Sequence, residues 1–127
     1  MAENLLSIRL TWGEGMKEVT AAFIHEVKTK GHLAVFLKGV SFTLCIRTKD
    51  DILYIRFQNG DVKICPSEPA NTYDVIITGT EERISSILMG NEKLRNAIRA
   101  KNILVDSTFR RLLFLESLFL LSRQRVS

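Results

Sequence analysis

At 127 residues, 46% hydrophobic and 25% charged, the chain is long enough to bury one core without disulfides or metals and too apolar to remain unfolded. It has no run of about 18 apolar residues, and Glu3, Arg9 and Glu14 interrupt the first twenty, which argues against a bilayer-spanning helix and a secretory leader and predicts a soluble, cytoplasmic protein. Residues 1–90 balance ten Lys/Arg against eleven Asp/Glu while residues 91–127 hold eight against three, so the net charge of +4 belongs to the last third.

The chain reads as a single domain, residues 1–127, with residues 1–15 as an N-terminal extension. Leu6, Ile8, Leu10 and Trp12 alternate with Ser7, Arg9 and Thr11, a period of two that predicts a short strand or extended arm, with a helical start as the alternative. Gly13 and Gly15 break that segment. Residues 16–30 form an amphipathic helical pattern with Met16, Val19, Phe23 and Val27 on one face, and Gly31 is placed to close it at C′. Residues 32–38 predict one or two further helical turns.

A meander follows. Phe42, Leu44 and Ile46 alternate with Ser41, Thr43, Cys45 and Arg47, and Leu53, Ile55 and Phe57 alternate with Tyr54, Arg56 and Gln58. Asn59-Gly60 predicts a tight hairpin because both positions accept positive φ, and Val62 and Ile64 continue the inward set on the return strand. Such strands hide one face, so something must lie on the sheet. Cys45 and Cys65, in segments read as different in phase, predict two reduced structural thiols rather than a disulfide. Pro66 and Pro69 mark a loop, and residues 73–78 a fourth strand. Thr80 is placed to cap a helix over residues 81–89 that Gly90 stops; Asn91 is placed to cap the next, over residues 92–100. Residues 101–106 make a last strand.

The final helix, residues 108–123, imposes the strongest demand. Nine of the thirteen residues from Phe109 to Leu121 are large and apolar, and they fall on more than one side of the helical wheel. Asp106 or Ser107 is placed as its N-cap, with Arg123 and Arg125 at its negative end. One sheet face cannot cover it, so other helices, a second copy of the chain or an apolar ligand must do so. The element order is an α+β layout with helices over one sheet face.

No catalytic constellation stands out. His25 and His32 lack partners at metal-ligand spacing. Gly13-Glu14-Gly15 is too short and wrongly placed for a phosphate loop, and Asp50-Asp51 and Glu81-Glu82 suit a turn and a helix start. The sequence predicts neither enzyme nor cofactor nor metal. The basic excess comes without exposed aromatics in a binding pattern, which disfavours nucleic acid as a partner.

From Val40 onward, over about 105 residues with the upstream helix, the chain resembles the type-2 sterol carrier protein family. The resemblance rests on Tyr73-Asp74-Val75-Ile76-Ile77-Thr78-Gly79-Thr80 as a strand running directly into a helix, on Ile84 to Met89 closed by Gly90, and on the pair Ile103 and Val105 before the C-terminal helix. Lys101 and Ser107 stand where the family frames its last strand with glycines, and Arg125-Val126-Ser127 is no peroxisomal address. The resemblance implies a mostly antiparallel five-stranded sheet covered on one face by helices, with an apolar tunnel between the layers and the C-terminal helix as wall or lid.

On that resemblance the lining residues are expected to be Phe109, Leu113, Phe114, Leu118 and Leu121, with Met89, Ile103 and Val105 from neighbouring elements and Phe36 and Phe57 as further members. Arg99, Arg110 and Arg111 are expected to meet an anionic headgroup or membrane surface. The expected function is non-catalytic binding and transfer of an apolar or lipid-like ligand such as a sterol or fatty acyl chain. The alternative is a homodimeric protein–protein module, or an accessory domain of a larger complex, without an open cavity.

Overall fold

Apolar residues at period two in the middle of the chain, and at helical period on either side, produce a sheet with a helical layer. The computed structural model describes residues 2–65 and 74–123, and of residues 2–15 the backbone alone. In chain order the elements are α1 (Ala2–Thr29), α2 (Gly31–Leu37), β1 (Ser41–Arg47), β2 (Ile52–Gln58), β3 (Asp61–Cys65), β4 (Val75–Gly79), α3 (Glu81–Leu88), α4 (Leu94–Arg99), β5 (Ile103–Asp106) and α5 (Phe109–Leu121).

The five strands lie in the order β3-β2-β1-β4-β5. The expected α+β class, with a mostly antiparallel five-stranded sheet, is what the structure shows, with one refinement: β4 runs parallel to β1, pairing Leu44 with Val75 and Ile46 with Ile77. The other three pairings are antiparallel. One sheet face presents Phe42, Leu44, Ile46, Ile55, Phe57, Val62, Val75, Ile77 and Ile103, all buried in a single core with residues from each of the five helices. The inward set expected of β1 to β3 is therefore in place, but the expected outward residues Thr43 and Cys45 of β1 are buried as well, at 3% and 0% exposed, because β1 is a central strand.

Local signals also fix the turns. Asn59 (φ 47°) and Gly60 (φ 87°) take the left-handed conformations that the β2–β3 hairpin requires. Thr80 caps α3, its Oγ1 accepting from the Arg83 amide. At Gly79 an added Cβ would lie 2.8 Å from Ile103 Cγ2, so a side chain there would push β5 away.

Several boundaries differ from the expectation. Residues 6–12 belong to α1 rather than to a strand, because the helix continues through Gly13 and Gly15; each glycine costs roughly 1 kcal/mol against alanine, which an extended helix can absorb. Gly31 does not close α1; Lys30 (φ −89°, ψ 106°) makes the break and Gly31 begins α2. The N-cap of α4 is Lys93 without a side-chain cap, not Asn91. That of α5 is Thr108, whose Oγ1 accepts from the Arg111 amide, in place of Asp106 or Ser107. Cys45 and Cys65 share the outer sheet face, contrary to the phase reading, in one row on either side of Tyr54. Two strand spacings, about 9.6 Å, separate them, too far for a disulfide. Pro66, Pro69, Tyr73 and Arg125 lie outside the described residues.

Two predictions arise here. Lys101 follows α4 at φ 63°, a conformation that disfavours a side chain with a Cβ. Lys101→Gly should therefore raise the stability by about 0.5–1 kcal/mol, seen as a higher midpoint in urea unfolding; an unchanged or lower midpoint would contradict it. Glu81, in the first turn of α3, has its carboxyl pushed above the ordinary 4.5 by burial first, then by Asp51 and Asp50, against a hydrogen bond from the Met16 backbone. The folded state thus holds that proton more tightly than the unfolded chain, and the stability so gained is lost as pH rises through the folded pKa. The stability difference between wild type and Glu81→Gln should widen, in favour of the glutamine variant, as pH rises through the window just above 4.5. A difference independent of pH would refute the assignment.

Candidate functional site

The stripe Met16, Phe23 and Val27 buries one face of α1, with Val19 at its border. Phe23 meets Phe119 of α5 edge-on, with ring centroids 5.3 Å apart. Met16 Sδ accepts a hydrogen bond from Ser85 Oγ of α3 at 3.5 Å. Near the end of α1, Lys30 Nζ donates to the Arg123 carbonyl at 2.7 Å and stands 3.5 Å from Glu26 Oε1, which ties α1 to the chain just beyond α5. Gly90, at φ 77°, lets the turn after α3 come against the same place: an added Cβ would lie 2.9 Å from Arg123 Cβ and 3.0 Å from the Phe119 carbonyl oxygen.

Between these contacts α1, the end of α3 and the end of α5 leave an open cleft of about 400 Å3. Its apolar wall is Val19, Ala22 and Phe23 on one side and Leu88 and Met89 on the other. Glu18, Glu26, Asn91 and Ser122 supply the polar groups. The volume lies within the range of small-molecule sites, and the mix of apolar wall and few polar groups is their usual chemistry.

The expected lining residues are distributed over three settings. Met89 alone among them lines the cleft, half-exposed. Phe36, Phe57 and Phe114 join Phe42 in an aromatic cluster between α5 and the sheet: Phe36 stacks on Phe114 at 4.9 Å, Phe42 on Phe57 at 4.6 Å, and Phe114 meets Phe42 and Phe57 edge-on. Leu118 and Ile103 are buried core, and Val105 packs against that core. Leu113 is half-buried, whereas Phe109 is 64% and Leu121 45% exposed. The space beneath the middle of α5 is thus occupied by side chains, and the cleft lies at the C-terminal end of the helix.

The three arginines differ as well. Arg99 and Arg110 are exposed, but Arg111 is held 3.7 Å from Asp74 and lies over the Phe42 ring, 5.8 Å from its centroid. Asp74 in turn accepts from the Thr43 amide, fastening β4 to β1. Sequence reasoning missed Glu18, Ala22, Glu26, Leu88, Asn91 and Ser122; the stripe on α1 was the one signal near them. It also missed Glu116, a buried carboxylate in an apolar helix, which accepts from Arg95 Nε of α4 through both oxygens at 2.6 and 3.0 Å. Among the described residues no three His, Cys, Asp or Glu side chains stand together as metal ligands, and no helix is long and apolar enough to cross a membrane.

Solved structures of sterol carrier protein 2 domains share this fold. A protein titled UbiJ-SCP2, a ubiquinone synthesis protein, superposes with a TM-score of 0.68 at 16% identity, over 85% of this chain and 95% of that one. The sterol carrier protein domain 2 of Helicoverpa armigera gives 0.67 at 13% identity, over 90% and 89%. A sec-alkylsulfatase of Pseudomonas sp., Pisa1, gives 0.58 at 18% identity over 67% of this chain, which spans only 14% of that enzyme. No protein-family model and no curated protein matches the sequence.

Proposed function

We propose that this chain is a non-catalytic carrier that binds an apolar or lipid-like ligand, such as a sterol or fatty acyl chain, and transfers it. The observation that supports this most directly is the cleft of about 400 Å3, walled by Val19, Ala22, Phe23, Leu88 and Met89, in a sterol-carrier fold. An apolar chain seated there leaves water at about 25 cal/mol per Å2 before the costs of binding, so no directed chemistry is required for affinity. The polar groups favour binding over catalysis: Glu18 and Glu26 stand two helical turns apart, and Ser122 Oγ donates to the Phe119 carbonyl rather than to a base. The Phe36–Phe114 stack beneath α5, whose two rings are partly buried, is the place where the expected residues Phe36 and Phe114 would admit more of a long ligand by rotamer changes, above the fully buried Phe57 and Leu118. The named neighbours make a sterol and a ubiquinone the first ligands to try.

Ala22 is exposed on α1 and lines the cleft, so Ala22→Trp fills it at little cost to the fold. Titration with a fluorescent cholesterol analogue should show saturable binding by the wild type and at least about tenfold weaker binding by Ala22→Trp, with unchanged circular dichroism. Equal binding by both would place the ligand elsewhere, and no binding by either would overturn the carrier reading.

Delivery to an anionic membrane surface fits the exposed Arg110 next to the exposed Phe109, with Arg99 also exposed on α4, in a chain whose basic excess lies in this region. Co-sedimentation with phosphatidylserine vesicles should fall in Arg110→Glu; an unchanged bound fraction would remove this contact from the account.

A further inference from the structure

The wall of the cleft runs from the buried Phe23 and Leu88 out to Val19, half-buried, and to Ala22 and Glu18, exposed. α1 therefore borders the mouth, and an apolar ligand seated there leaves part of its surface in water. The wall residues Val19, Ala22 and Glu26 recur at intervals of three and four. Continued toward the N-terminus, the same register takes in Gly15, Trp12, Ile8 and Leu5. These seven positions share one side of a helix that runs unbroken from Ala2 to Thr29, while Leu10 falls on the opposite side. The apolar side of the cleft wall thus continues along the helix beyond the cleft. Gly13 and Gly15 divide it into an arm, residues 2–12, and the wall itself. Each glycine disfavours a straight helix about fivefold against alanine, and both accept the left-handed conformations of a tight connection.

We propose that residues 2–12 are a lid that folds back at Gly13–Gly15 onto the filled cleft. This rests on the carrier reading above and adds how the same site is closed. A helix that bends toward its own apolar side brings the two halves of that side face to face, and Gly13-Glu14-Gly15 is a connection of the length usual between antiparallel helices. Ile8 then comes beside Val19, and Leu5 beside Ala22. Leu5 to Trp12 spans about 10 Å and Glu18 to Glu26 about 12 Å along their helices, so the arm reaches across the mouth. With the cleft empty, closure covers a groove, and the straight helix keeps its hydrogen bonds through the glycines. With the cleft filled, closure removes both the arm's apolar strip and the ligand's outer side from water, so the ligand favours the closed form and draws the equilibrium to it.

The test titrates the full chain with the fluorescent cholesterol analogue. Gly13→Ala/Gly15→Ala favours the straight helix by about 25-fold in total and should weaken binding about tenfold, with an unfolding midpoint no lower than that of the wild type. Ile8→Glu should weaken binding at least about fivefold, and Leu10→Glu should leave it unchanged. Trp12 is the one tryptophan, so its emission reports the arm directly. Dodecanol, which does not fluoresce, should shift that emission to shorter wavelength in the wild type and not in the double alanine variant. Tighter binding by the double variant would make the arm a plug; equal binding, or no emission shift, would leave the arm outside the site. Each overturns the lid while the carrier reading stands. A shift that grows with protein concentration would place the arm on a second copy and overturns it too. Failure of the wild type to bind either probe overturns both readings.

Discussion

Phe119→Ala is expected to destabilise the protein by about 3–5 kcal/mol, the range for removing a buried aromatic ring from a packed core. The ring is 2% exposed and joins α5 to α1 by meeting edge-on the ring of Phe23, which lines the cleft. Truncation leaves a void in a region that is closed from one side only, so neighbours can collapse into it incompletely. Since a domain of this size is stable by only about 5–15 kcal/mol, the loss should be plain in urea unfolding as a much lower midpoint. A loss below about 1 kcal/mol would mean that the α1–α5 contact is not part of the cooperative core.

Gly90→Ala is the second large effect, at about 2–3 kcal/mol. A side chain at φ 77° costs about 1–2 kcal/mol by itself, and the new Cβ would press on the Phe119 carbonyl oxygen and the Arg123 Cβ, so part of the turn or the end of α5 must shift. Gly39 provides the comparison: it has φ 79° but nothing within 4 Å of an added Cβ, so Gly39→Ala should carry the backbone cost alone. The difference between the two variants measures the close approach of the α3–α4 turn to α5. Equal losses would show that the turn yields freely. Because Asn91 and Ser122 lie at this junction, Gly90→Ala should also weaken ligand binding where Gly39→Ala does not.

The parts of the fold legible in the sequence are those set by neighbours in the chain. Alternation in residues 41–47 and 52–58, the Asn59-Gly60 hairpin and the Thr80 cap each follow from a few adjacent residues, and the structure has them in place. The parallel pairing of β1 with β4 depends on where the chain returns after β3, and no local pattern carries that information. Caps were less certain guides, because Asn91 and Ser107 are good capping residues whose neighbours Lys93 and Thr108 take the position instead. The excess of apolar residues on α5 signalled a helix covered on more than one side; α4, α1 and the aromatic cluster cover it in part, while Phe109 and Leu121 stay exposed.

The cleft was hidden for a related reason. Its wall comes from residues 18–26, 88–91 and 122, which touch only after three helices have docked, and individually they read as an amphipathic stripe, a helix end and a serine. Glu116 is legible only in the same way. A glutamate in a run of leucines looks like a solvent-facing break, whereas docking of α4 brings Arg95 to it and makes a buried, hydrogen-bonded pair.

The central claim is that the chain holds an apolar ligand, and native mass spectrometry of the purified protein, followed by solvent extraction of what accompanies it, tests this most directly. The account predicts a monomer carrying one lipid-like molecule, identified by its extracted mass and lost in Ala22→Trp. A ligand-free dimer that also ignores added sterol, ubiquinone and long-chain alcohol would contradict it, and the exposed side of α5 around Phe109 and Leu121 would then be an interface between two copies of the chain.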